Sequence, residues 1–171
     1  LSSSSAASDV YKRQAQDSGL DNLHARVQPE RYQRQVRLFH EIVPFKRLGL
    51  VYEDSPEGRT YSAVDAVEQV AREQGFKVLT CNAPSNGIAP EVATRNALEC
   101  YAKLAPQIDA AYVTVHRGVT PASVDTVAEI LRQARVPSFS MLGSEEVKHG
   151  LLLSLAPVSY THLRAHETKA N

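Results

Sequence analysis

Short β-rich runs alternate with amphipathic helical stripes through the middle of this chain, and that alternation restricts the folds open to it more than any other feature. The runs are Arg47–Glu53 (RLGLVYE), Lys77–Cys81 (KVLTC), Ala110–Val115 (AAYVTV), Val136–Met141 (VPSFSM) and Leu151–Leu155 (LLLSL). Their Val, Leu, Tyr and Phe content, with few internal charges, suits strands covered on both faces. Between them, Arg59–Gln74 repeats Ala63, Val64, Val67, Val70 and Ala71 at helical spacing, and Gly75 follows as a stop. Pro90–Leu104 carries Val92, Ala93, Ala97, Cys100, Tyr101 and Leu104, with Pro90 at the first helical position. Pro121–Ala134 carries Val124, Val127, Ile130, Leu131 and Ala134, with Thr120 placed to cap and Pro121 to start it. Pro29–Val43 is a further helix upstream, and a short turn of helix near Ser144–Lys148 precedes the last strand.

Units of this kind build a parallel sheet with right-handed crossovers. The expected fold class is therefore α/β: an open doubly wound parallel sheet, Rossmann-like or flavodoxin-like, of about five strands with helices on both faces. Ligands of such sheets bind beyond the carboxyl ends of the strands, so function should gather in the loops Glu53–Arg59, Asn82–Ala89, His116–Thr120 and Leu142–Ser144.

Composition removes several classes. The 19 Lys and Arg balance 19 Asp and Glu, which leaves no excess charge to hold nucleic acid. The two cysteines, Cys81 and Cys100, lack a Cys-x-x-Cys spacing, and read as a buried inert thiol and a core residue. No apolar run reaches the roughly 18 residues of a membrane span.

The ends differ from the middle. LSSSSAASDVYKRQ at 1–14 and VSYTHLRAHETKAN at 158–171 have neither strand nor helix periodicity. They resemble peptide strings that recur at the ends of unrelated proteins translated from metagenomic assemblies, where adapter-derived DNA is read as coding sequence. A flexible polar tail is the alternative. The expected organisation is a non-native tail at 1–14, a linker at 15–28, one ligand-binding lobe at 29–156 and a second non-native tail at 157–171. The chain then reads as an internal fragment, and the His162/His166 pair at i, i+4 spacing drops out as a metal candidate.

In the first loop, Glu53, Asp54 and Ser55 precede a helix start, where Ser and Thr hydroxyls can hold a polar ligand and can equally cap the helix. The chain has neither a Gly-x-Gly-x-x-Gly nor a Gly-Lys-[Ser/Thr] phosphate motif in that loop. A receiver domain would need a phosphorylatable Asp after the third strand, where this chain has His116 and Arg117. That pair sets a titratable donor beside a permanent cation able to grip a carboxylate with two hydrogen bonds. Arg117 reads alternatively as a loop charge paired with Glu145 or Glu146. No nucleophile elbow or pair of catalytic carboxylates emerges.

The ordered pattern IVPFKRLGLVYE, VAREQGFKVL, IDAAYVT, VDTVAEILRQARVPSFSM and EEVKHGLLLSLA, over about residues 28–156, resembles the ABC-transporter substrate-binding family, of the type I periplasmic-binding-protein kind. The resemblance implies one lobe of two that close like a hinged clamp on a small polar molecule, amino-acid or carboxylate-like, with no chemical step and no cofactor. It further implies a permease and its ATPase as partners, the first lobe of the same protein, and a periplasmic or otherwise extracytoplasmic location, a membrane-anchored lipoprotein being one form. By position, the ligand-facing candidates are Tyr52, Glu53, Asp54, Ser55, His116, Arg117 and Met141. Relatives commonly place an Asp-Asn pair where His116 and Arg117 stand, and this departure favours an anionic ligand. The alternatives are a ligand-sensing regulatory lobe or a small α/β enzyme domain.

Overall fold

A computed structural model describes residues 29–140 and 145–154. The expected tails at 1–14 and 157–171, the linker at 15–28 and the candidate Met141 lie outside the described residues.

The elements run α1 (Pro29–Ile42), β1 (Arg47–Tyr52), α2 (Pro56–Tyr61), α3 (Val64–Gln74), β2 (Lys77–Asn82), α4 (Pro90–Leu104), a 3-10 turn (Ala105–Gln107), β3 (Ala110–Val113), α5 (Val124–Gln133), β4 (Ser138–Ser140), α6 (Glu145–Lys148) and β5 (Leu153–Ser154). The strands form one five-stranded sheet in the order β2-β1-β3-β4-β5. Every pairing is parallel, in the registers Leu50↔Thr80, Leu50↔Tyr112, Tyr112↔Phe139 and Phe139↔Leu153. The doubly wound α/β expectation is met, and the order reverses between β1 and β3.

Side-chain alternation along the strands divides the core in two. Leu48, Leu50 and Tyr52 of β1, Tyr112 of β3 and Phe139 of β4 face one layer, where Val36 and Phe39 of α1 meet Val64, Val67 and Val70 of α3. The Tyr112 and Phe139 rings stack there with centroids 4.2 Å apart and planes 8° from parallel. Val51, Ala111 and Val113 face the other layer, against Tyr101 and Leu104 of α4 and Val124, Val127 and Leu131 of α5. On that side β1 and the 3-10 turn come so close that a Cβ at Gly49 would fall 2.4 Å from Ile108.

The amino end of the sheet is fastened by Asp109. Its carboxylate accepts the backbone N–H groups of Lys46 and Arg47 and pairs with the Arg47 guanidinium at 2.7 Å. That guanidinium holds the Asp109 carboxyl below the usual carboxylate range.

Several boundaries differ from the sequence reading. The helix expected over Arg59–Gln74 is two, α2 and α3, separated at Ala63, which sits in the left-handed region at φ 51°. The Ser62 hydroxyl donates to the Val115 carbonyl, which ties this break to the end of β3. Helix α5 starts at Val124 rather than Pro121, because the Thr120 carbonyl accepts from both the Ser123 and Val124 amides and makes 120–123 a turn. Among the described residues β2 is an edge strand and none of its residues is fully buried, unlike most of β1 and all of β3.

The cysteines also depart from expectation. Cys81, at the end of β2, and Cys100, in the third turn of α4, lie with Cα atoms 5.6 Å apart and form a disulfide. Neither is the free thiol that composition implied, because packing α4 across β2 brings together two residues that sequence separates by 19.

Candidate functional site

At the carboxyl end of the sheet the loops after β1, β2 and β3 are joined by hydrogen bonds. Tyr52 closes β1 with its ring buried and its hydroxyl 3.3 Å from Asp54 Oδ1, to which it donates. Burial is the main cause of a raised Tyr52 pKa, and the nearby Asp54 charge adds to it. The Arg59 guanidinium lies 6.0 Å from the centre of that ring and pairs with Asp65 and Glu68 of α3. Ser55 caps α2: its hydroxyl accepts the Gly58 N–H at 3.0 Å. Of the two roles open to Ser55 in the sequence, the capping bond is the one formed.

Glu53 reaches across to the loop after β2. Its Oε2 accepts both the Ser85 hydroxyl, at 2.5 Å, and the Ser85 N–H, at 3.1 Å. Asn82 Oδ1 accepts the Asp54 N–H at 2.9 Å, and the Ala83 N–H donates to the Tyr52 carbonyl at 2.8 Å. The 82–85 segment thereby fixes the backbone and the first carboxylate of the β1 loop.

His116 and Arg117 sit at the end of β3, next to β1 across the switch point, but their environments differ. The imidazole is buried. Its Nε2 faces the Ala83 carbonyl at 2.8 Å, and its Nδ1 faces the Gly118 N–H at 3.0 Å. Because the amide donates, Nδ1 is an acceptor and Nε2 carries the proton, so this is the neutral tautomer with both nitrogens engaged. Desolvation lowers the His116 pKa, against smaller opposing effects of the Ala83 carbonyl and the Glu53 charge. Arg117 is exposed and forms no hydrogen bond or ion pair with another described side chain. The alternative pairing with Glu145 or Glu146 involves side chains outside those described.

Gly118 lets this loop lie directly on α4, where a Cβ would fall 2.2 Å from the Ala93 carbonyl oxygen. The Ser123 hydroxyl donates to the Gly118 carbonyl at 2.8 Å and so fixes the far side of the turn.

The structure thus brings Tyr52, Glu53, Asp54, Ser55, His116 and Arg117 to one edge of the molecule. Within this group Arg117 is the cation and Glu53 and Asp54 are the anions. Sequence reasoning named the β2 loop without choosing residues from it, and so missed Asn82 and Ser85. The available signal was their position just after a strand, at the end of the sheet where doubly wound folds bind ligands.

No protein-family model matches this chain, and no curated protein matches it. Solved structures do. A conserved domain protein from Vibrio cholerae superposes with a TM-score of 0.61 and 21% identity, over 72% of this chain and 38% of that one. The ABC domain in complex with L-Trp from Streptococcus pneumonia gives a TM-score of 0.60 and 21% identity, over 73% of this chain and 39% of that one. A periplasmic sugar-binding protein of an ABC sugar transporter from Legionella pneumophila gives 0.53 and 12%, over 75% of this chain and 48% of that one. The fold is an α/β lobe of the kind that ABC substrate-binding proteins contain. The chain spans about two fifths of the length of the first two structures.

Proposed function

We propose that the chain is one lobe of the solute-binding component of an ABC importer, and that a small polar ligand bearing a carboxylate, an amino acid among the candidates, meets it at the carboxyl end of the sheet. The observation that carries this reading is Arg117. Arg117 is exposed in the loop after β3, with no partner among the described side chains, and a guanidinium there would take a ligand carboxylate through two parallel hydrogen bonds. The neutral, engaged His116 contributes shape and rigidity rather than charge, so the anion preference rests on one cation instead of two.

Binding follows from closure. Contacts from this lobe and from a second lobe favour the shut state, and a permease with its ATPase would respond to that state. No chemical step is assigned: the Ser85 hydroxyl is bonded to a carboxylate rather than to a histidine, and both His116 nitrogens are occupied. The Cys81–Cys100 disulfide supports an oxidising, extracytoplasmic setting.

The test is calorimetric titration of succinate and of L-tryptophan into the complete two-lobe protein and its Arg117→Ala variant. Loss of the guanidinium is expected to weaken the carboxylate-bearing ligand by about tenfold or more, the scale of a charge-assisted pair. Equal affinity in the two proteins overturns the assignment.

A further inference from the structure

The disulfide lies at the base of the loop that organises this edge. Cys81 is the residue before Asn82, and the chain from Cys81 to Cys100 forms a covalent ring containing the whole 82–85 segment. Each residue of that segment holds a different neighbour. Asn82 receives the Asp54 amide, Ala83 receives the His116 ring, Pro84 receives the Asn96 side chain at 2.9 Å, and Ser85 grips Glu53. Asn96 and Cys100 are one helical turn apart on α4, so that face of the helix holds the loop twice, once by a hydrogen bond and once covalently. The need for a covalent hold follows from topology. Among the described residues β2 pairs with β1 and with no strand on its outer side, and its residues are partly buried or exposed. Edge elements with little buried surface open at the low end of the stability range.

We propose that the Cys81–Cys100 disulfide is a positioning element of the binding edge, which holds the 82–85 segment against α4 and through it fixes the Glu53 carboxylate and the His116 ring. Reduction to two thiols would leave the sheet folded and loosen this corner. That a ligand meets the corner rests on the function proposed above, whereas the dependence of the loop on the disulfide is tested without any ligand.

Backbone amide exchange is measured on the full chain, oxidised and after treatment with dithiothreitol, and on the Cys81→Ala/Cys100→Ala double variant. The Asp54, Ser85 and Gly118 amides, which bond to Asn82, Glu53 and His116, report on the corner. The Leu50 and Tyr112 amides, in the central strands, report on the sheet. Reduction and the double variant are expected to accelerate the corner amides by about tenfold or more while the central amides change by less than about twofold. Unchanged corner amides overturn the proposal, and so does equal acceleration of corner and centre, which would make the disulfide a global stabiliser. Titration of the complete two-lobe protein with succinate and with L-tryptophan before and after reduction reads the binding consequence. Corner amides that respond in a protein that binds neither probe leave the positioning role standing and remove the binding reading.

Discussion

The Nε2 atom of His116 lies 2.8 Å from the carbonyl oxygen of Ala83, a bond that joins the end of β3 to the loop leaving β2 without passing through β1, the strand between them. The Gly118 amide donates to the other nitrogen, and that second bond is the one that requires a neutral ring. Protonation would put an N–H on Nδ1 against the Gly118 N–H, while the Nε2–H would keep the Ala83 carbonyl.

Stability should therefore depend on pH through this residue. Burial lowers the folded pKa of His116 below its ordinary value of 6.5, so just below that value the unfolded chain binds a proton that the folded chain does not. The contribution is fully present above pH 6.5 and is lost as pH falls from there through the folded pKa. Denaturant midpoints measured between pH 7.5 and 5 are expected to decline with falling pH, and the decline should shrink in His116→Gln. A flat profile would contradict the burial described here.

Arg117→Ala is expected to leave the thermal midpoint almost unchanged, within about 0.5 kcal/mol, because the side chain is exposed and makes no contact of the kind that carries stability. A melting curve beside the calorimetric titration separates the two effects. A large drop in midpoint would show that the guanidinium has a structural partner.

Gly118→Ala should behave in the opposite way. The added methyl would meet the Ala93 backbone 2.2 Å away, so the loop must lift off α4. The expected cost is about 1–3 kcal/mol, the range for overpacking against an immovable neighbour. Chemical denaturation measures it, and the His116 ring signals should shift as the loop moves.

Arg135 ends α5 in the left-handed conformation, at φ 58°. The Val136 amide bonds back to the Leu131 carbonyl across it, the bond pattern of a helix end that normally has glycine at this position. The side chain is exposed, so Arg135→Gly removes strain and no packing. A gain of about 0.5–1 kcal/mol is expected in thermal unfolding.

Much of the fold was legible because its causes are local. The apolar period of Pro90–Leu104 with proline at its first position, and Gly75 as a helix stop, each act through neighbours a few residues away; the first helix formed as read, and α3 ends where Gly75 was read to end it. Other features depend on distant partners. The break at Ala63 is held by Ser62 reaching Val115, and the turn at 120–123 is held by Ser123 reaching Gly118. The disulfide exists because a helix and an edge strand pack together. The site divides in the same way. Strand ends located Glu53, His116 and Arg117, but the sequence could not say that Ser85 would grip Glu53, or that one member of the basic pair would be buried and neutral while the other stayed in solvent.

Asp109 gathers the amides of Lys46 and Arg47 at the amino end of the sheet, on the side opposite Glu53, Ser85 and Arg117. On the function proposed above, fastening and recognition fall at opposite ends of the same strands. Loop residues at the carboxyl end can therefore be exchanged without touching the contacts at Asp109 that keep the amino ends of the strands in register.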